Sequence, residues 1–451
     1  MSVIPQVEFP FEGARTVRMV FDADPISSDG GAPLLRELDQ TLGLTAALAG
    51  CIKDTRDARY VSHGVHEMFT QRVYGIALGY EDCNDARTLR HDPVMKTVCG
   101  RDPATGTALA SQPSLSRLET SATPRACYRM ASALLDSYLA RHRQPPARLT
   151  IDFDDTEDPT HGRQQLSFFN AFYDTHLYFP FLVFDGNGDL MTVVLLPGKK
   201  QPGKTMAAIM KRIVRRVRQQ WPKTNILLRA DSQFSSASML RMCRDAGVSF
   251  LFGLTPNSVL KAKGQALTAE AKRRFERTGK PVRIFTSTWH KAKRATPGWP
   301  RAYRLVIKAE HSSLGPNTRF VITDISGKPG KLYDRYVQRA EACENSIKDL
   351  KNVLKADRLS CHGFWANQFR LLLHAAAYVL MYCLRAAARG TELENAQMDT
   401  LRQRLLRIAV RVAATARHVW FHLTSSHPWQ PLWHRVASVV RRRAWSLAAN
   451  A

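Results

Sequence analysis

Acidic residues at the ends of two strand-like segments are the sharpest chemical signal in this sequence. Leu149-Thr-Ile-Asp152-Phe-Asp154 alternates as a half-buried strand does, so Asp152 and Asp154 share one face of it. Asn225-Ile-Leu-Leu-Arg-Ala-Asp231 ends in the same way. A third acid, Glu344, lies beside an apolar stripe of Tyr336, Ala340, Cys343, Ile347, Leu350 and Leu354. The spacing of that stripe predicts a long helix beginning near Leu332, with Glu344 at the edge facing the core. Lys348 and Lys351 follow on the face of Glu344. Clustered carboxylates repel one another unless a cation joins them. Mg2+ suits such a site, because it takes oxygen ligands and accepts phosphate oxygens as the rest of its shell; Mn2+ is an acceptable substitute. Two such ions about 3.5–4 Å apart activate an attacking oxygen and stabilise a leaving one, while lysines hold the phosphodiester strand. Asp154 closes its strand, with Asp152 and Asp155 as alternatives for the first acid. Each Asp taken singly also reads as a cap on a following turn, and Asp231-Ser-Gln-Phe-Ser-Ser has that form.

The rest of the chain supplies cations. Its 451 residues include 65 Lys and Arg against 39 Asp and Glu, a net charge of +26. That surplus calls for a polyanion or an anionic membrane as partner. The membrane reading fails. Met1 to Arg15 lacks the basic start and apolar run of a secretory signal. The most apolar stretch, Leu371 to Leu384, contains His374 and suits a buried helix better than a bilayer span. Eight Cys without a C-x-x-C pair suggest neither a zinc ribbon nor a disulfide framework, and fit a cytoplasmic, nucleoid-associated protein. Nucleic acid is therefore the expected partner.

Four regions position these residues. Residues 1–148 read as a helical DNA-binding or dimerisation region. From residue 149 to 256 the order is β-β-β-α-β-α-β, which predicts an RNase H-like α/β core, although a doubly wound sheet shares much of this order. In the RNase H-like arrangement the first and fourth strands are neighbours, which puts Asp154 beside Asp231. Residues 257–331 read as a basic β-rich insertion, with 14 Lys or Arg between Lys261 and Lys308 against Glu270 and Glu276. The core resumes over 332–388, and 389–451 reads as a basic helical DNA-binding tail. Nine Arg and no acid fall between Leu401 and Ala451, which points the arginines toward DNA, while Trp420, Trp429, Trp433 and Trp445 read mainly as core.

Other motifs compete. Gly198-Lys-Lys-Gln-Pro-Gly-Lys204-Thr205 satisfies the P-loop pattern between a strand and a helix, which would make the chain a nucleotide-dependent DNA-binding protein. Pro202 removes one of the N–H groups such a loop needs, and three antiparallel strands precede it, so a basic turn with Lys204 on a DNA backbone is the preferred reading. His63-x-x-His66 lacks a second ligand pair and reads as a helix face. Ser111 to Glu119 begins like a helix capped by Ser111. It is a candidate reading helix with Gln112, Ser114 and Arg117 toward bases, or a plain surface helix. Trp289 and Trp299 are candidates for stacking on an unpaired base.

Together these residues resemble the DDE transposases of bacterial insertion sequences, in particular the group with a Tyr-Arg-Glu-Lys signature, distantly similar to piggyBac. The resemblance rests on Asp152-Phe-Asp154-Asp-Thr with His161-Gly162-x-Gln164, Arg229-Ala-Asp231-Ser, and Tyr336-x-x-Arg339 with Glu344-Asn345-x-Ile347-Lys348 and Lys351. It extends to Gly79-Tyr-Glu-Asp, Leu109-Ala-Ser-Gln-Pro-Ser-Leu-Ser-Arg117 and Ala356-Asp-Arg-Leu-Ser-Cys-His362. It implies a Mg2+-binding triad of Asp154, Asp231 and Glu344. It also implies DNA contacts at Tyr336, Arg339, Lys348 and Lys351, and a homodimer acting on terminal inverted repeats and target DNA. Asp154 is favoured for the first acid because it stands eight residues before Gly162. Arg339 stands five positions before Glu344 where the family has four. A chain that binds the ends without cutting them, a relic of such an enzyme, is the remaining alternative.

Overall fold

The computed structural model describes residues 7–9, 17–20, 22–292 and 298–443. The N-terminal third is mainly helical. It contains Ala32–Leu42, α1 (Val65–Leu78), α2 (Gln112–Thr120) and α3 (Pro124–Ala140). Gly79, at φ 99°, ends α1 in the left-handed conformation that glycine tolerates. Thr123 accepts from the Ala126 N–H and Pro124 occupies the first turn, so the start of α3 is encoded locally.

The chain then builds one large mixed sheet. β1 (Arg148–Asp155), β2 (Thr175–Asp185) and β3 (Leu190–Leu196) form an antiparallel meander. Then come α4 (Gly203–Gln220), β4 (Asn225–Ala230), α5 (Ala237–Asp245) and β5 (Ser249–Leu254). α6 (Ser258–Thr278) leads into β6 (Val282–His290), β7 (Tyr303–Ser312) and β8 (Gly315–Thr323). The strand order is β6-β7-β8-β5-β4-β1-β2, with β3 also on β2. β5, β4 and β1 are mutually parallel; the other pairings are antiparallel. Phe153, Phe181, Phe234 and Phe252 pack on one face under α4 and α5. The other face is covered by α7 (Pro329–Lys348) and α8 (Phe364–Ala387). α8 is the one helix among the described residues long and apolar enough to cross a membrane, and 94% of its apolar window is buried inside the protein.

Two regional expectations change. Residues 257–331 are not simply β-rich: α6 occupies 21 of them. Its buried positions are Leu260, Gly264 and Ala271, too few and too small to print an apolar stripe. Its strands extend the main sheet through β8 on β5. The tail is not all helical: β9 (Val410–Ala414) and β10 (Val419–Leu423) form a hairpin that pairs with Ile26–Ser27, and a last helix, α9, spans Gln430–Arg441. Several tail arginines are engaged internally. Arg402 donates to the Ala77 and Val353 carbonyls, Arg404 pairs with Glu392, and Arg411 pairs with Asp24. Their partners lie before Leu401, so the absence of acids beyond it was no guide. Residues 1–148 pack into the rest of the chain. The helices of that region, β2, β3, α8 and the tail share one apolar core.

Candidate active site

β1 and β4 are adjacent and parallel, so their C-terminal ends deliver Asp154 and Asp231 to the same edge. Neither carboxylate is spent on a cap: Asp231 makes no capping hydrogen bond, and Ser236 caps α5 instead. Between them lies Arg339 of α7. One guanidinium nitrogen donates to Asp154 Oδ2 at 3.0 Å and the other to Asp231 Oδ1. Tyr336, one turn earlier, donates its hydroxyl to Asp231 Oδ1 at 3.4 Å. Gly253 on β5 leaves the room for it, since a Cβ there would stand 2.6 Å from the Tyr336 oxygen. Burial, and then the Asp231 charge, push the Asp154 carboxyl up to about 7 against the pull of Arg339. Asp155, bonded to Gln233 at 2.7 Å, is also raised by burial.

Behind the pair, Asp152 is fully buried and takes both oxygens to Arg229, its register partner on β4, at 2.7 and 2.6 Å. The remaining Arg229 nitrogen donates to the Arg335 carbonyl at 2.6 Å, which docks α7 on the sheet. Asp152 is therefore committed to structure, leaving the half-buried Asp154 and Asp155 as the strand's acids on the cleft. Reading the residues singly misses this lock. The signal was an Asp and an Arg two positions before the acids ending β1 and β4.

The carboxylates open into a cleft of about 580 Å³ lined by Asp154, Asp155, Asp231, Phe172, Tyr173 and Lys200, among others. Phe172 is 87% exposed. Its turn and the Lys199-Lys200 turn make a cationic, aromatic rim. Gly198 holds the second turn down: a Cβ there would lie 1.9 Å from the Leu177 carbonyl. This turn is no P-loop. β3 is an antiparallel strand of the meander, and the Lys199 N–H bonds back to the Pro197 carbonyl. Lys204 is exposed in the first turn of α4.

The other expected residues scatter. Glu344 is exposed, and no hydrogen bond or ion pair joins it to Asp154 or Asp231. The expectation that it faces the core is corrected. In a regular α-helix, residue 343 shares the face of Arg339 and residue 344 is turned about 100° away. Cys343 fills the facing place at 1% exposure. Arg339, expected on DNA, instead lies buried between two acids. Lys348 is exposed, while Lys351 is engaged by Glu157 Oε1 at 2.7 Å. The helix passes into a π-helical turn over Asp349–Val353, within which Lys351 lies. On α2, Arg117 is exposed and Gln112 half-buried, and Ser111 bonds Ser114 rather than a backbone N–H. Arg117 lines a basic cavity of about 700 Å³ with Lys53, Arg125 and Arg129. His63 is held by Glu67 and Arg101, and His66 by Thr45. Trp289 is exposed, whereas Trp299 is buried against His290 and Tyr303. Trp445 lies outside the described residues.

Two repelling carboxylates drawn around one guanidinium are a site that fits a cation, and their oxygens are the hard donors a divalent ion takes. Among the described residues no group of three or more His, Cys, Asp or Glu is arranged to hold a metal, so a third ligand is not with them.

Comparison with known proteins gives the family. A family described as "Transposase DDE domain group 1" matches residues 9–445. No curated protein matches. Among solved structures, the piggyBac transposase synaptic complex with hairpin DNA is similar at a TM-score of 0.42 and 10% identity, covering 95% of this chain and 86% of that one. With the family match spanning nearly its whole length, the chain belongs to the DDE-domain transposases.

Proposed function

We propose that this transposase acts on double-stranded DNA at the terminal inverted repeats of its own insertion sequence, through an RNase H-like core that carries residues 257–331 as an insertion. One observation carries the reading: Asp154 and Asp231 meet at the C-terminal ends of adjacent parallel strands around a positive charge, at the head of a cleft rimmed by lysines and aromatic rings. Asp154 and Asp231 would hold divalent cations, Mg2+ in the cell, with Glu344 as the third acid. When bound, such ions supply activation of the attacking oxygen and stabilise charge on the leaving one.

The chain's own residues supply the rest. Lys199 and Lys200 hold backbone phosphates, and Phe172 and Tyr173 offer ring faces to bases beside the cleft. Water attacks phosphorus at the element's end, the bond to the 3′ oxygen breaks, and that oxygen leaves as a 3′-OH. The 3′-OH then attacks a target phosphodiester and displaces a target 3′ oxygen. One P–O bond forms and one breaks in each step, so no ATP is required. Two ends must be cut, which suits a homodimer in the nucleoid.

The test is incubation of purified protein with a labelled terminal fragment and Mg2+, resolved on a denaturing gel. Asp154→Asn and Asp231→Asn are expected to lower cleavage by at least 1000-fold while retaining end binding in a mobility shift. Cleavage like the unaltered chain's in either variant would remove that residue from the site.

A further inference from the structure

α7 is one residue out of step with its site, and the helix stores that residue nearby. Arg339 and Cys343 are four apart on a continuous α-helix and so share the acid-facing side. Arg339 bonds both acids, and Cys343 stands within electrostatic reach of Asp152, Asp154 and Asp231. Glu344, five from Arg339, is turned to solvent. Immediately after Lys348 the chain makes a π-helical turn, Asp349–Val353, which holds one residue more than an α turn.

We propose that the π turn and the position of Glu344 are exchangeable: moving the extra residue upstream, between Arg339 and Glu344, rotates Glu344 into the place of Cys343 and completes the acidic site when divalent cations displace Arg339. The inference rests on the metal-binding reading of Asp154 and Asp231.

The side chains from Glu344 to Lys348 have places in both registers. In the exchanged one each of residues 344–348 takes its predecessor's place. Glu344 enters the acid-facing position. Asn345 and Ser346 take exposed places, Ile347 takes the buried place of Ser346, and Lys348 takes the half-buried place of Ile347. An isoleucine thus replaces a serine in the interior, while Lys348 passes from an exposed to a half-buried place. Residues beyond Val353 keep their places, so the bond from His374 to the Leu354 carbonyl at 2.7 Å is undisturbed. Room exists for the movement: a polar cavity of about 600 Å³ runs along Asn345, Lys348, Asp349 and Asn352.

Two contacts hold the described register. Arg339 satisfies the two acids, and Asp349 accepts from Arg385 at 3.2 Å and from the Met398 N–H at 3.3 Å. A divalent ion at the acids competes with Arg339 directly. The site thereby stays incomplete, and the protein unable to cut, until the cation arrives.

Mn2+ binding to the full chain, followed by the paramagnetic signal of the free ion, tests this. Glu344→Gln should weaken binding at least fivefold. Deleting Ala342, which restores the four-residue step from Arg339 to Glu344, should tighten it about tenfold, and Glu344→Gln in the deletion background should cancel the gain. On the unaltered chain, Mn2+ should move the fast-exchanging amides from 349–353 to 340–344 in hydrogen-exchange mass spectrometry. This arm decides the question even if the deletion variant does not fold. Binding that is lost in Asp154→Asn but indifferent to Glu344→Gln, with the exchange pattern unmoved, overturns the register exchange and leaves the metal site standing. Binding indifferent to Asp154→Asn as well removes both.

Discussion

Burial sets the protonation of several carboxyls here, and their partners decide how far. Asp29 is 1% exposed; its Oδ2 accepts from the Tyr80 hydroxyl at 2.9 Å and its Oδ1 has no partner. Burial, aided by the Asp92 charge, raises it from 3.8 to about 6 despite Tyr80. The native state therefore binds this proton more tightly than the unfolded chain. The stabilising contribution is complete below about 4 and is lost as pH rises through about 6. At pH 8 a buried, half-satisfied anion remains. Asp29→Asn, which keeps an acceptor for Tyr80, should raise stability by about 2 kcal/mol at pH 8 and by much less near pH 4. Urea midpoints at the two pH values check this, and an equal effect at both would show that the charge is not the cause.

The two carboxylate-bearing strands were legible as elements, because alternation over Leu149 to Asp154 and the apolar run before Asp231 need only local pattern. Their adjacency followed from element order. The stripe of α7 was legible too, and so was the five-residue step from Arg339 to Glu344. What the step does was not, because an extra residue can be absorbed by a turn of π-helix anywhere along the helix. α6 was missed because propensity without an apolar face leaves no periodic trace. How α7 is fastened was equally hidden. It depends on Arg229 reaching Asp152 and the Arg335 carbonyl across three elements. Arg229→Leu strands the Asp152 charge in the interior and frees that carbonyl, so it should cost about 3–5 kcal/mol. Arg229→Leu with Asp152→Leu should recover most of the loss in chemical denaturation. A single variant as stable as the parent would mean that α7 is held by its apolar contacts with Leu227 and Leu251 instead.

At the scale of the molecule, regions that differ in sequence pattern share their packing. α8 is the shared centre: α1, α3 and the Ala32–Leu42 helix lie against it from one end of the chain, and α9 from the other. The two ends are also sewn together directly. The Gly30 and Gly31 N–H groups donate to the Ile408 and Leu406 carbonyls, and a Cβ on Gly31 would fall 1.9 Å from the Leu405 carbonyl. A segment comprising residues 1–148 alone leaves the apolar faces of its helices without α8. It should show no cooperative thermal transition and should be cleaved throughout by dilute protease. Gly31→Ala in the full chain forces the two ends apart, so it should lower the temperature of the whole unfolding transition rather than split off an early one. A sharp independent melt of the 1–148 fragment, or an early separate transition in Gly31→Ala, would show instead that this region folds on its own. Without such independence, any movement of α2, the candidate reading helix, must be transmitted through the same core that packs on the strands β2 and β3.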